Sequence, residues 1–376
     1  MVAAGRDSRI LVIGGGIGGL TAAIALRRQG FPVDVIERDP DWTVYGVGII
    51  QQANVIRAMA HLGLVDDYLD AGSPFDRVDI FIPTGQQVAS VPTPKLVENY
   101  PANVGIGRPA LHKVLSAATI ASGATVRLGV TADRLDDDGE GVDVVFSDGT
   151  TGRYDIVVGA DGLYSQTRRA IFADAPVPQF AGQGVWRYNF PRDDGDGRIA
   201  VFEGPTGVGL VPTSPTQMYM YVTTPEPGNP RYPREGIAAV MQAKLAGVPA
   251  PQIRALAATI SDDAGVVYKP LETLMLEGPW HAGRIVLLGD AVHATTPHLG
   301  QGAGMAIEDS IVLAEELAAA SHDPEAAFAA YRARRFDRCR YIVESSAAIC
   351  AAQIAGRRVD QAAATKGMFD VVAQPI

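Results

Sequence analysis

Residues 9–38 read RILVIGGGIGGLTAAIALRRQGFPVDVIER, and this stretch decides the fold. Ile10-Leu11-Val12-Ile13 is an unbroken apolar run, as a strand buried on both faces of a parallel sheet requires. Gly14-x-Gly16-x-x-Gly19 follows. An alanine- and leucine-rich stretch, Leu20 to Gln29, then reads as a helix halted by Gly30. Val33 to Ile36 is a second strand and ends at Glu37. The whole is a βαβ unit of about 30 residues. Glycines at these spacings let a backbone pass close to a pyrophosphate, and the new helix turns its N–H groups and positive potential toward it. Glu37 stands where a carboxylate bonds a ribose hydroxyl, which argues against a 2′-phosphate and fits FAD or NAD.

Outward from this unit, the chain has 376 residues, enough for two domains or one large one with an insertion. Apolar residues make up 47% and charged residues 20%, the balance of an ordinary globular protein. A net charge of -10 repels phosphate backbones, so nucleic acid is not an expected partner. No segment approaches the roughly 18 apolar residues of a membrane span. The apolar run at Ile10 is too short for a signal-peptide core. Cys339 and Cys350 fall in one expected helix, about 16 Å apart at helical rise, too far for a disulfide. These features predict a reduced, cytoplasmic protein with packing thiols.

Further along, GVGIIQQANVIRAMAHLGL reads as a loop and then a helix closing at Gly63. Residues 76–97 suit a strand pair away from the main sheet. GRPALHKVLSAAT reads as a helix with proline in its first turn. Residues 125–158 read as a β-meander, with strands at Thr125–Leu128 and Val142–Phe146 separated by the turn DDDGEG, then the strand Ile156 to Val158. Residues 180–275, rich in aromatics and prolines, read as antiparallel sheet with a few helices. After Arg284 come a strand, a helix from near Ala303 to about Ala320, and a long helix over roughly Pro324 to Ala355. The fold class is therefore α/β. A nucleotide-binding domain over 1–75, 98–180 and 276–320 holds an inserted β-rich substrate domain over 76–97 and 181–275, and 321–376 is a helical C-terminal segment.

Two more strand ends carry acids and glycines. One is Gly159-Ala160-Asp161-Gly162, followed by Ser165 and Arg168. The other is Gly289-Asp290-Ala291-Val292-His293, running on through Pro297-His298-Leu299-Gly300-Gln301-Gly302-Ala303-Gly304 to Glu308-Asp309. A carboxylate leaving a buried strand can bond the hydroxyls of a polyol such as ribityl. A glycine-rich turn before a helix presents bare N–H groups and a positive dipole end to a flat ring that gains negative charge on reduction.

Three ordered motifs, GxGxxG, GADGxxSxxR and GDAxHxxxPxxGQGxxxxxED, resemble those of the single-component FAD-dependent aromatic hydroxylases, from about Arg9 to Arg340. The resemblance implies a Rossmann-like FAD-binding domain, FAD as cofactor, and NADH or NADPH with O2 as co-substrates. It implies a small phenolic or N-heteroaromatic substrate hydroxylated through a flavin C4a-hydroperoxide; the oligomeric expectation, a monomer or homodimer, is left open between the two. It places Glu37 at the adenosine ribose, Arg108 beside FAD and Val130 at the adenine. Asp161 falls near the phosphates and the nicotinamide's approach, and Asp290 at the ribityl chain or phosphate. Pro297 with Gly300, Gly302, Ala303 and Gly304, and Val47 with Gly48, fall around the ring. Gly14, Gly16, Ile17, Gly18, Gly19 and Arg38 complete the candidate cofactor contacts.

A general base near the flavin would activate a phenol. His298 is the candidate, beside Pro297 in the ring-facing turn, while His293 is read as orienting that turn. Tyr221 is an alternative proton relay. Trp186, Tyr188, Tyr219, Pro297 and His298 are candidate substrate contacts, with Phe190 nearby, and Tyr219 and Tyr221 share a strand face. Arg187 and Arg198 are the candidates for a carboxylate clamp, with solvated strand arginines the safer reading. No metal site is expected. Trp186-Arg187-Tyr188-Asn189-Phe190-Pro191 partly matches a halogenase pattern, which leaves a halogenase, a flavin enzyme that inserts no oxygen, and a non-enzymatic redox module as rival functions.

Overall fold

The computed structural model describes residues 7–44, 46–192, 197–204, 206–320, 323–357 and 359–376. Its first layer is a six-stranded sheet in the order His281–Ala282, Ile285–Leu287, Ile156–Gly159, Ile10–Ile13, Val33–Glu37, Thr125–Leu128. All pairings are parallel except that of the first two strands. Ile10–Ile13 and Ile156–Gly159 are buried at every position, because helices cover one face and a small three-stranded sheet the other. The helices Ile17–Arg28 and Gly302–Ala319 pack together, their hydroxyls Thr21 and Ser310 2.8 Å apart.

The expected meander is divided. Thr125–Leu128 joins the large sheet beside Val33–Glu37, and two additional strands, Ala132–Asp137 and Thr151–Tyr154, flank Val142–Phe146 in a separate three-stranded sheet. Ala132–Asp137 is mostly polar and mostly exposed, so it lacks the apolar alternation that would announce it. The first helix begins at Ile17, inside the glycine run, rather than at Leu20.

The second layer is a seven-stranded sheet in the order Val267–Thr273, Gln179–Pro191, Gln217–Pro225, Gly207–Pro212, Ile199–Phe202, Arg77–Phe81, Gln87–Pro92. The pair from residues 76–97 thus forms its far edge, with Arg77–Phe81 parallel to Ile199–Phe202. Side chains alternate between faces along each strand. Trp186, Phe190, Met220 and Val222 pack under the helices Ile237–Leu245 and Pro251–Ala257 as a separate core. The opposite face looks toward the first layer. A three-stranded sheet of Gly48–Gln51, Asn103–Gly107 and Ser73–Phe75 lies between the layers, and a Cβ on Gly105 would meet the Pro212 carbonyl oxygen at 1.9 Å.

The long helix spans Pro324–Ile354 and is followed by another, Gln361–Val372, which adds a separate element to the expected C-terminal segment. Arg57 donates to the carbonyls of Val372 and Ala373, and Arg338 to those of Gln374 and Pro375, which ties the end of the chain down. Cys339 and Cys350 are both free and buried. No helix among the described residues is long and apolar enough to cross a membrane.

Candidate active site

One cleft of about 1930 Å³ runs between the two layers. That is roughly twice the ~1,000 Å³ upper end for a drug-sized ligand, room for a dinucleotide and a second small molecule. Gly14, Gly16, Ile17, Gly18, Glu37, Arg38, Val47, Gly48, Arg108, Val130 and Asp161 all border it. So do Asp290, Pro297, His298, Gly300, Gly302, Ala303, Tyr219 and Tyr221.

The glycines of the first turn have separate tasks. Gly14 sits at φ +110°, and a Cβ there would lie 2.5 Å from the Ala160 carbonyl oxygen. A Cβ on Gly19 would lie 1.8 Å from the Gly14 carbonyl oxygen, so Gly19 serves helix-to-strand packing and does not border the cleft. Gly15 falls at a position the GxGxxG fingerprint leaves open, yet it is packed by Trp42 and Glu37. A Cβ on Gly16 would meet nothing within 4 Å. The helix therefore begins against open cleft, with its first N–H groups turned there. Glu37 accepts from the amides of Gly15 (2.7 Å) and Asp39 (2.9 Å), which fixes its carboxylate at the cleft wall.

Asp161 is more committed than its motif suggests. It accepts from the Ser165 hydroxyl, from the amides of Gln166 (2.8 Å) and Thr167 (2.9 Å), and from the Thr167 hydroxyl (3.1 Å). It takes up the first two amides of the helix Gln166–Ile171, whose N-cap is Ser165, while bordering the cleft. Arg168, fully buried, donates to the carbonyls of Leu163 and Ala291 (2.9 Å each) and so ties the second motif to the third. Asp290 differs: it accepts no hydrogen bond from the described residues and is open to the cleft. Enclosure by the surrounding protein raises its carboxyl above the ordinary range.

Behind Asp290 lies a buried charge cluster. His293 Nε2 is 2.5 Å from Asp309, whose other oxygen accepts from Arg335 Nε at 2.8 Å. Arg335 also meets Glu308 at 2.7 Å, and Arg338 reaches the same carboxylate at 2.9 Å. The amide of Gly289 donates to Asp309 at 3.2 Å, which carries the cluster's rigidity to the Asp290 turn. His293 is fully buried here. His293, Asp309 and Cys339 offer donor atoms within 4.8 Å of one another, but the guanidinium on Asp309 opposes a metal cation there. Arg335 carries no local sequence signal, since one arginine among many in a long helix looks like any other.

His298 borders the cleft with both ring nitrogens engaged. Nε2 faces two amide oxygens, those of Gln183 and Gln353, each at 3.1 Å, so it carries the proton. Nδ1 accepts from the Thr296 hydroxyl at 2.9 Å. Burial pushes its pKa down to about 4, against the raising effect of Gln353. The ring is a neutral, doubly anchored group with its lone pair in use. Gln183 and Gln353, which hold it, have no motif to mark them, for they lie far apart in the chain. Gly304 falls behind the turn, where a Cβ would lie 2.9 Å from Gln301 Oε1, and it does not border the cleft.

Two expected substrate contacts are corrected by strand parity. Trp186 is fully buried on the far face, donating to Thr224 at 2.9 Å among Tyr232 and Tyr268. Tyr188 and Phe190 share that face, their rings 5.1 Å apart. Their odd-numbered neighbours face the cleft instead, including Val185 and Arg187. Arg187, which the sequence suggests is solvated, is a cleft residue whose pKa falls to about 10 through burial and the nearby positive charge of Arg108. Tyr219 and Tyr221 lie 6.3 Å apart, ring to ring, and burial raises both phenols. Tyr219 packs over Gly48, where a Cβ would lie 2.2 Å from its ring.

Comparison with known proteins agrees with this arrangement. A family model described as "FAD binding domain" matches residues 7–346. The aurachin C monooxygenase/isomerase of Stigmatella aurantiaca is 33% identical over 342 residues, covering 90% of this chain and 87% of that protein. The FAD-dependent urate hydroxylase of Klebsiella pneumoniae is 29% identical over 345 residues, covering 89% and 88%. The crystal structure of Klebsiella pneumoniae HpxO with FAD and uric acid superposes with a TM-score of 0.86 at 28% identity, covering 98% of this chain and 97% of that one. The chain belongs to the FAD-dependent aromatic hydroxylase family and is a flavin monooxygenase.

Proposed function

We propose that the chain uses NADH or NADPH and O2 to hydroxylate a small phenolic or N-heteroaromatic substrate, bound between the Pro297–Gly302 turn and the Tyr219–Tyr221 face of the seven-stranded sheet. The observation that carries this reading is the continuity of the cleft. It runs without a break from the glycine turn at Gly14–Gly16, past Asp290, to the tyrosines and Arg187. Relatives named for urate and aurachin chemistry support an aromatic or heteroaromatic substrate.

The residues fit FAD. Gly16 leaves open space at a helix N-terminus, suited to a pyrophosphate. Glu37 stands fixed for the adenosine ribose, with Arg38 and Val130 beside it, and Asp290 is an acid in need of a donor, suited to a ribityl hydroxyl. Gly300, Gly302 and Ala303, with Val47 and Gly48 on the same cleft, suit a flat ring. When bound, FAD supplies the redox chemistry, taking electrons from the reduced nicotinamide and passing one oxygen atom of O2 to the substrate. The chain itself binds, orients and excludes water. The first N–H groups of the helix starting at Gly302, at the cleft, would supply positive potential to a ring held there. Tyr219 and Tyr221 keep their protons and can donate to a substrate oxygen. His298 holds the Pro297 turn against Gln183 and Gln353, a positioning role in place of the base expected from sequence.

On this reading residues 1–75, 98–180 and 276–320 serve the cofactor and 76–97 with 181–275 the substrate. A cytoplasmic location belongs to the same proposal and is supported by two unpaired, buried cysteines. A monomer or a homodimer is compatible with it. The test is a panel of phenols and N-heteroaromatics screened for stimulated oxidation of NADH or NADPH, followed by mass spectrometry of product formed under labelled O2. One labelled oxygen atom in the ring is expected. Stimulated oxidation with no label in any product would overturn the reading.

A further inference from the structure

The cleft-facing wall of the seven-stranded sheet holds a register row with two unlike ends. Arg187 pairs with Tyr221, Tyr221 with Gly209, Gly209 with Val201, and Val201 with Ile80. Paired residues share a sheet face, and Arg187, Tyr221, Val201 and Ile80 all border the cleft. Four strand spacings of about 4.8 Å put Ile80 roughly 19 Å from Arg187. Gly209 keeps the row passable: a Cβ there would lie 2.1 Å from the Tyr221 ring, so that ring leans into the space a side chain would take.

The near end is cationic. No carboxylate among the described residues pairs with Arg187; burial and the like charge of Arg108 act against its guanidinium, with the Tyr219 phenol opposing them. A partly desolvated guanidinium without a counter-ion is costly, and an anionic ligand removes that cost. The far end is apolar. Val201 and Ile80 are followed in the next row on the same face by Ile199 and Val78, which also border the cleft.

We propose that the substrate is an amphiphilic phenol, bound through its phenolate oxygen to Arg187 with an apolar substituent of several carbons laid over Val201 and Ile80. This rests on the hydroxylase reading above and deepens it. A fixed cation favours the ionised form of a phenol, so binding itself delivers an electron-rich ring. The proton leaves to solvent as the anion enters, and no histidine lone pair is needed. Tyr219 and Tyr221, kept as phenols, add O–H donors to the same oxygen. The row is longer than one ring, which leaves its apolar half for a tail.

The test uses FAD-loaded enzyme titrated with 4-nitrophenol, 2-methyl-4-nitrophenol and 2-pentyl-4-nitrophenol, at a pH where the free probes are mostly neutral. The visible band of the anion is followed after subtraction of the flavin spectrum. In the wild type the anion band grows on binding, and the dissociation constant falls about fourfold per methylene. Arg187→Met loses the band and keeps the chain-length dependence, whereas Arg187→Lys keeps a weaker band. Val201→Asn keeps the band and flattens the dependence. The proposal is overturned if no probe binds, if the wild type binds the neutral form, if chain length has no effect, or if Arg187→Met keeps the band. Labelled-oxygen incorporation is read separately. Anion binding without incorporation into any aromatic sinks the hydroxylase reading alone, and incorporation into a ring bound neutral sinks the anchor alone.

Discussion

Replacing Arg335 with methionine removes a guanidinium that touches both acids of the buried cluster while nearly preserving volume. Arg335 meets Glu308 at 2.7 Å and Asp309 at 2.8 Å, and all three side chains are at most 1% exposed. Removing one partner of a buried ion pair costs about 3–5 kcal/mol, because the other charge stays behind without compensation. Here Asp309 keeps His293 at 2.5 Å and Glu308 keeps Arg338 at 2.9 Å, which points to the lower end, about 3 kcal/mol. Unfolding entropy of about 2.1 cal/mol/K per residue gives about 0.8 kcal/mol/K for a chain of 376 residues. The melting temperature should then fall by about 4 °C. Scanning calorimetry of the FAD-free protein measures it. Arg334→Met, which breaks two partly exposed pairs with Glu315 and Glu316, is the control and should shift it by no more than about 1 °C. FAD affinity should fall with Arg335→Met as well, because Asp309 holds the amide of Gly289 beside Asp290. An Arg335→Met melting temperature equal to that of the wild type would refute the reasoning.

The same cluster sets an acid limit. The Asp309 carboxyl, held down to about 2 by His293 and Arg335 against its burial, contributes stability that is complete above its ordinary value of 3.8 and lost as pH falls toward about 2. Equilibrium unfolding between pH 5 and 2 should show wild-type stability declining in that window and the decline starting at higher pH in Arg335→Met. His298, lowered to about 4, stabilises the fold fully above its ordinary 6.5 and loses that contribution as pH falls from 6.5 to 4. The pH profile of kcat/KM should therefore lack an acid limb near 6.5 that His298→Asn removes; finding one restores the histidine as base. Gly16→Val should leave the melting temperature of the FAD-free protein unchanged and weaken FAD binding at least tenfold, whereas Gly19→Ala should lower that melting temperature outright. Equal effects from both in calorimetry would deny them separate tasks. Gly48→Ala forces the Tyr219 ring aside and should raise KM or Kd for aromatic ligands more than Kd for FAD, read by flavin fluorescence.

The cofactor half is legible in the sequence because its constraints are local. A glycine turn, an acid at a strand end and a helix start lie within a few residues of one another, and each follows from what a backbone can do near a phosphate. Ile10–Ile13 and Ile285–Leu287 fall where their apolar runs place them. The substrate wall is not legible, because the face a strand residue takes depends on partners distant in the chain. The run from Trp186 to Phe190 alternates large side chains with polar ones, and from the sequence alone the aromatic face could line the cleft or pack the core. The helices Ile237–Leu245 and Pro251–Ala257 decide it by covering the aromatic face. His298 looks like a base in the sequence for a related reason: Gln183 and Gln353 come from 115 and 55 residues away to occupy its ring.

The alternation along Gln179–Pro191 also bears on how such an enzyme can change its diet. Positions 185 and 187 can be rewritten to suit a new molecule while 186 and 190 go on gripping the helices behind them. Exploration at the ligand wall is thereby uncoupled from the packing that keeps the sheet folded. Inserting or deleting a single residue in this strand would exchange the two sets, sending an indole to meet the ligand and a guanidinium into the oil. Divergence along this strand should accordingly proceed by substitution at every second position and almost never by a change in length.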